Sequence, residues 1–214
     1  MTDRPPRFSS RRLGVLISGR GSNLQALIDA ISDGRLDASI AVVISNVAGA
    51  GGLDRARNAG IETAVIDHRG WPSRDDYDRA LIEELHARDV EVVCLAGFMR
   101  KIGPAFFAAF PDAIVNIHPS LLPSFPGLHA QAQALAHGVQ VSGVTVHLVT
   151  PELDAGPIIV QRAVPVLEND TEETLAARIL VEEHKAYPEA VQRVLDGQWK
   201  VAGRRFVTGV LDKA

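Results

Sequence analysis

The sequence predicts a single-domain α/β protein built on a mostly parallel, twisted sheet of about seven strands, with helices on both faces and the last strands antiparallel. Three observations carry this expectation. Short β-branched runs alternate with longer segments of helical period. Several of those runs lack polar alternation, as parallel strands covered on both faces do. The chain has 214 residues with neither an internal repeat nor a Pro/Ser-rich linker, a length that suits one large domain. At this size folding buries roughly 70% of the unfolded chain's surface, enough for a core without covalent staples.

Strands are predicted over residues 13–17, 40–45, 63–66, 90–95, 113–117, 143–148 and 158–164. Between them lie helical segments at 23–32, where Leu24, Leu27, Ile28 and Ile31 share a face, and at 52–58, 73–86, 104–110 and 130–137. The last two strands are joined by a loop too short for a crossover helix, so they pair antiparallel at one side of the sheet. Asp170 with Glu173 three residues on reads as a capping box opening a helix from Thr171 to about Ala186. Pro188 is expected to kink or restart it, with an end near Gly197. Residues 199–201 and 205–208, joined by Ala202 and Gly203, suggest a terminal hairpin.

Charge narrows the function. Against 26 Asp and Glu stand 22 Lys and Arg, a formal charge of −4, so no basic field invites nucleic acid or anionic lipid. The polar start MTDRPPRFSSRR has no apolar core, and no uncharged apolar stretch approaches the roughly 18 residues of a membrane helix. The expectation is a cytoplasmic protein acting on small molecules. Cys94 is the sole cysteine and lies in the apolar run 92–95, which reads as a buried structural thiol and excludes an internal disulfide. His129, His137 and His147 have no i, i+4 partner and no HExxH-like pattern, so no metal is expected. His147 either makes an internal hydrogen bond or lines a cleft.

Three segments can carry chemistry. The first strand runs through Ser18, Gly19, Arg20, Gly21, Ser22 and Asn23 directly into a helix, placing exposed N–H groups at a helix N-terminus as an anion cradle. Leu24 stands where a dinucleotide fingerprint needs its third glycine, Ser45 and Asn46 end the second strand where it needs an acid, and no Lys follows the second glycine as a Walker loop requires. A site for a single phosphate remains. After a buried strand comes NIHPSLLP. There Asn116 and His118 project to the same side, and Pro119 biases His118 towards extended geometry. The third segment, Thr150 to Pro157, holds Asp154 beside Gly156 and Pro157. If the sheet order returns it beside 113–117, Asp154 reaches His118 and favours its charged form. An amide, an imidazolium and a carboxylate together suit proton transfer and oxyanion stabilisation at a carbonyl.

LGVLISGRGSNLQALIDA, CLAGFMRKIGPAFFAAFPDAIVNIHPSLLPSFPGLHA, GVTVHLVTPELDAGPIIVQ and EEHKAYP strongly resemble the phosphoribosylglycinamide formyltransferase family, from Leu13 to about Leu195. The resemblance implies a formyltransferase fold with a Rossmann-like N-terminal half, and transfer of a formyl group from 10-formyltetrahydrofolate, a co-substrate, to glycinamide ribonucleotide. It implies Asn116, His118 and Asp154 as catalytic residues, Gly21, Ser22 and Asn23 as the phosphate loop, and Glu183 as the holder of the ribose hydroxyls. Met99, Arg100, Lys101 and Ile102 match the folate segment, with Asn116 shared, and Arg74 matches a basic position near the folate's glutamate tail. Lys101 departs from the apolar residue common there, so only its backbone role carries over. The expected division is a loose extension at 1–12 and one domain over 13–214: a phosphate-binding half at 13–110, a catalytic and folate half at 111–198, and the hairpin at 199–214. The chain is expected to be a monomer or homodimer. Hydrolases and tRNA formyltransferases that share the triad carry further domains in that wider group.

Overall fold

A computed structural model describes residues 8–209. The chain runs β1 (Arg12–Ile17), α1 (Ser22–Ser32), β2 (Ser39–Ser45), α2 (Gly51–Asn58), β3 (Thr63–Val65), α3 (Arg74–His86), β4 (Val92–Leu95), α4 (Pro104–Ala109), β5 (Ile114–His118), α5 (Ala130–Ala136), β6 (Val141–Leu148), β7 (Ile158–Pro165), α6 (Glu172–Leu195), β8 (Trp199–Ala202) and β9 (Arg205–Thr208). One sheet holds all the strands in the order β3-β2-β1-β4-β5-β6-β7-β9-β8. Pairing is parallel from β3 through β5, then antiparallel from β5 to β6 and from β6 to β7.

Alternation along β1 sorts its side chains into two cores. Leu13, Val15 and Ile17 pack on one face with Leu24 and Leu27 of α1 and with Ile179, Tyr187 and Val191 of α6. Leu16 faces the other side, with Val42 and Ile44 of β2, Leu81 and Leu85 of α3 and Phe106 of α4. Covered on both faces, the parallel strands end their carboxyl termini together along one edge, where open α/β sheets bind ligands.

Among the described residues the sheet has nine strands rather than about seven, because the terminal hairpin extends it. β9 pairs with β7 at Arg205 and Ile158, and Trp199 stacks on Phe206 with ring centres 4.7 Å apart. Pro188 does not restart its helix; α6 runs unbroken over 24 residues. A mid-helix proline costs about 3 kcal/mol. Ile179, Leu175, Tyr187, Val191 and Val194 are all fully buried on the same helix, and each large apolar side chain returns about 1.5–3 kcal/mol. The expected Asp170–Glu173 box sits one residue later: Thr171 is the N-cap and exchanges hydrogen bonds with Thr174. Asp170 instead takes the Leu167 N–H at 2.7 Å and a two-pronged ion pair from Arg178.

Residues 1–7 of the expected extension and 210–214 of the hairpin segment lie outside the described residues. From Ser9 onward the chain is tied down, for the amides of Ser9, Ser10 and Arg11 donate to the Glu91 carboxylate at 2.7–3.0 Å and Arg12 opens β1.

Candidate active site

The loop expected to cradle an anion lies where β1 meets α1. Gly21 is the N-cap of α1 with φ 71°, a left-handed conformation that suits glycine. A Cβ on Gly21 would come 2.5 Å from the Cα of Gly52, so α2 presses directly on the loop, with Gly52 N–H donating to the Gly19 carbonyl at 3.0 Å. The loop from Ser18 to Asn23 lines a cavity of about 240 Å³ together with Ala96, Gly97 and Met99. Asn23 donates through Nδ2 to Glu183 Oε2 at 2.7 Å, and its Oδ1 is buried without a partner among the described residues. Burial raises the carboxyl of Glu183 above the ordinary glutamate range, against the Asn23 bond. The cradle and Glu183, distant in sequence, are one polar floor.

Ser18 joins that floor to the neighbouring loop. Its hydroxyl donates to Asn46 Oδ1 at 2.5 Å and accepts the Met99 N–H at 2.8 Å. Met99 is 62% exposed, and Leu128 and Leu153, beside Gly127 and Asp154, are exposed as well. Arg100 and Lys101 are exposed and Ile102 is half-buried. Arg74 opens α3 next to this loop, where Asp78 accepts the Gly103 N–H at 2.6 Å.

Asn116 and His118 point to one side of β5, as their spacing requires. Antiparallel register sets His147 of β6 directly opposite Asn116, and Thr145 opposite His118. The Asn116 amide nitrogen lies 3.2 Å from His147 Nε2. Asp154 reaches the group from the β6–β7 loop, with Oδ2 at 3.6 Å from His118 Nδ1 and Oδ1 at 3.8 Å from His147 Nε2. Both distances exceed a direct hydrogen bond. The bond Asp154 does make is to the Gly127 N–H, at 2.8 Å, and its backbone is left-handed with φ 50°, a conformation aspartate tolerates. Gly156 is required two residues on, since a Cβ there would run into the Leu148 carbonyl.

Tautomers follow from the partners. His118 Nε2 lies 2.9 Å from the Phe125 carbonyl and therefore carries a proton, leaving Nδ1 as the ring atom towards Asp154. His147 Nδ1 lies 2.9 Å from the Leu148 carbonyl and likewise carries a proton. Burial lowers the pKa of His147 despite the opposing pull of the Leu148 carbonyl and Asp154, which favours the neutral ring. The loop after β5 is pinned by Thr145, whose hydroxyl donates to the Ser120 carbonyl and accepts the Leu122 N–H.

All the residues expected in a site thus fall along one edge of the sheet, in two groups joined by β4 and β5. Sequence reasoning missed the Phe125 carbonyl, the Gly127 amide and Gly52; it placed Ser18 in the loop before α1 but not its bonds to Asn46 and Met99. Only Gly52 carried a signal, as one of two adjacent glycines opening a helix. A shallower groove of about 520 Å³, lined by Val65, Trp71 and Glu84 among others, lies at the β3 edge and contains none of the expected site residues.

A parallel α/β frame with an anion cradle at its first turn and an amide, two imidazoles and a carboxylate at the neighbouring strand ends defines a class: group-transfer proteins that work by hydrogen bonding and proton movement. The chain belongs to the formyl transferase family, whose model matches residues 11–191. It is 48% identical over 187 residues to the phosphoribosylglycinamide formyltransferase of Escherichia coli, covering 87% of this chain and 88% of that protein. It is 53% identical to part of a trifunctional purine biosynthetic protein of Drosophila pseudoobscura, covering 87% of this chain but only 14% of that longer one. Among solved structures, glycinamide ribonucleotide transformylase 1 of Symbiobacterium toebii superposes with a TM-score of 0.91 at 55% identity, covering 92% of this chain and 93% of that one. A formyltetrahydrofolate deformylase of Pseudomonas syringae shares the fold, with a TM-score of 0.87, at 27% identity, covering 94% of this chain and 66% of that one.

Proposed function

We propose that the protein transfers the formyl group of 10-formyltetrahydrofolate to the amine of N1-(5-phospho-D-ribosyl)glycinamide, giving formylglycinamide ribonucleotide and tetrahydrofolate in purine biosynthesis. The observation that carries this reading is the union along one sheet edge of a single-anion cradle, a buried carboxylate beside it, and the Asn116, His118 and Asp154 group. The similarity to a phosphoribosylglycinamide formyltransferase, over 87% of this chain and 88% of that protein, adds to it.

In this reading Gly21, Ser22 and Asn23 offer the phosphate their amides at the positive end of α1. Glu183, with Oε2 held by Asn23, keeps Oε1 for the ribose hydroxyls. Exposed Met99, Leu128 and Leu153 give the flat folate an apolar surface, and the Met99–Ile102 backbone and Arg74 extend that subsite. The folate supplies the formyl carbon. Asn116 donates to the formyl oxygen as the substrate amine attacks and the oxygen becomes anionic, an interaction typically worth about 2.7–4 kcal/mol. Protonated His118 donates from Nδ1, since Nε2 is committed to Phe125. Asp154, close to that ring yet not bonded to it, moves the proton from the attacking amine through water to the departing folate nitrogen as the old carbon–nitrogen bond breaks. No side chain becomes acylated, and proximity in one cleft supplies much of the remainder.

The test is an absorbance assay of the purified protein with formyl-folate, run with and without the ribonucleotide. Deformylated folate should form only when the acceptor amine is present. Release without acceptor would replace this reading with hydrolysis.

A further inference from the structure

We propose that His147 is a positioning residue that fixes which way the Asn116 amide faces, so that one amide N–H is aimed into the cleft. The inference rests on the reading of Asn116 as oxyanion donor and adds a residue that acts only through it.

The argument begins with a backbone carbonyl. Leu148 O, 2.9 Å from His147 Nδ1, can only accept, so Nδ1 holds the ring proton and a neutral His147 presents a lone pair at Nε2. That lone pair faces Asn116 at 3.2 Å. If Asn116 turned its carbonyl oxygen there, two lone pairs would meet in a buried site, since His147 is 1% exposed. The amide therefore turns its NH₂ towards His147. One hydrogen is spent on Nε2, and the second, about 120° away on a planar nitrogen, remains for substrate.

The surroundings keep the ring in this state. Its charged and titratable neighbours are Asp154, whose Oδ1 is 3.8 Å from Nε2, and His118 beyond it. Burial is the largest influence and favours the neutral form that the amide needs. Register explains why this residue holds the post: Asn116 and His147 are a cross-strand pair, and the β6–β7 ladder shifts between Val146 and His147. Both rings of the site thus have one nitrogen spent on a main-chain carbonyl, His118 through Nε2 and His147 through Nδ1. The remaining nitrogens have opposite parts, one to donate and one to accept.

Two substitutions separate positioning from packing. Glutamine can place an acceptor where Nε2 stands but has no equivalent of the Nδ1 donor; asparagine keeps a donor near Nδ1 and loses the acceptor. His147→Asn should lower kcat about tenfold with KM for both substrates within about twofold, and His147→Gln should recover most of that kcat. In an Asn116→Ala background His147→Asn should cost nothing further, because a residue acting through Asn116 has nothing left to orient. ¹⁵N NMR of the unmutated protein gives a readout independent of folding in the variants, and should find His147 protonated at Nδ1 and bare at Nε2 near pH 7. A ring protonated at Nε2, equal losses for the two substitutions, or additive losses with Asn116→Ala would each overturn the assignment. Full activity of Asn116→Ala alone would instead remove the catalytic reading on which it stands.

Discussion

Asn23 at the start of α1 and Glu183 in the middle of α6 are joined by a 2.7 Å hydrogen bond between residues 160 positions apart. The bond ties the expected anion loop to a carboxylate that is 8% exposed and has no cationic partner among the described residues. Taking such a group out of water costs folding free energy, which one amide donor offsets only in part. A ligand hydroxyl on Oε1 would account for its retention, in the way that binding sites trade stability for function.

Glu183→Gln should therefore stabilise the free protein at neutral pH while weakening the ribonucleotide. Burial raises the folded pKa above the ordinary 4.5, so between 4.5 and that raised value the native state holds more protons than the unfolded one. Stability falls as pH rises through that window and stays lower above it. Glutamine keeps an oxygen for Asn23 and removes the charge. Melting curves from about pH 4 to 8 should show the variant melting higher at pH 7, with the two proteins converging below pH 4.5. A wild type that melts higher at pH 7 would contradict the account, as would an unchanged KM for the ribonucleotide.

Asn116→Ala should lower kcat at least about a hundredfold, the usual cost of one oxyanion donor. Asn116 is only partly buried, and its amide nitrogen contacts His147 rather than the packed core, so the fold should survive. Turnover measured beside circular dichroism decides it: a folded variant with undiminished turnover would remove Asn116 from the chemistry.

Asn116 and His118 were legible because period-two alternation puts them on one side of a strand whatever lies around them. Asp154 was legible as a residue but not as a neighbour, because its reach depends on β6 returning antiparallel beside β5. His147 stayed ambiguous for the same reason: its place opposite Asn116 is a fact of register, and register belongs to two strands at once. The continuity of α6 through Pro188 was not legible because burial along the helix outweighs the local rule, and the hairpin joins the sheet edge by one ladder pair, Ile158 with Arg205, while Trp199 is anchored in the core and on the Val194 carbonyl. Contributions from main-chain groups, such as the Phe125 carbonyl and the Gly127 amide, have no side-chain signature to read.

Cys94 should be inert in the folded protein. It is fully buried in β4, and burial pushes its thiol up to about 12 despite a contact with Tyr187, so almost no thiolate exists at neutral pH. Reaction with an aromatic disulfide reagent should proceed only as fast as the core opens, and its rate in increasing urea should track unfolding. Rapid labelling of native protein would show that β4 opens locally.

Asp154→Asn separates the charge of this residue from its scaffold work. Asparagine keeps an oxygen for the Gly127 N–H at 2.8 Å and tolerates the left-handed backbone at φ 50°, so the loop that brings it to His118 should keep its shape. What disappears is the negative charge 3.6 Å from His118 Nδ1 and, in the proposed mechanism, the group that receives the amine's proton. The expected result is a loss in kcat comparable to that of Asn116→Ala, about a hundredfold or more, with the ribonucleotide still bound because the cradle at Gly21, Ser22 and Asn23 lies on other elements. Calorimetric titration with the ribonucleotide beside a turnover assay distinguishes the outcomes. Binding that vanishes along with turnover would make Asp154 a scaffold residue, holding Gly127 in place, and would leave proton movement to His118 and solvent.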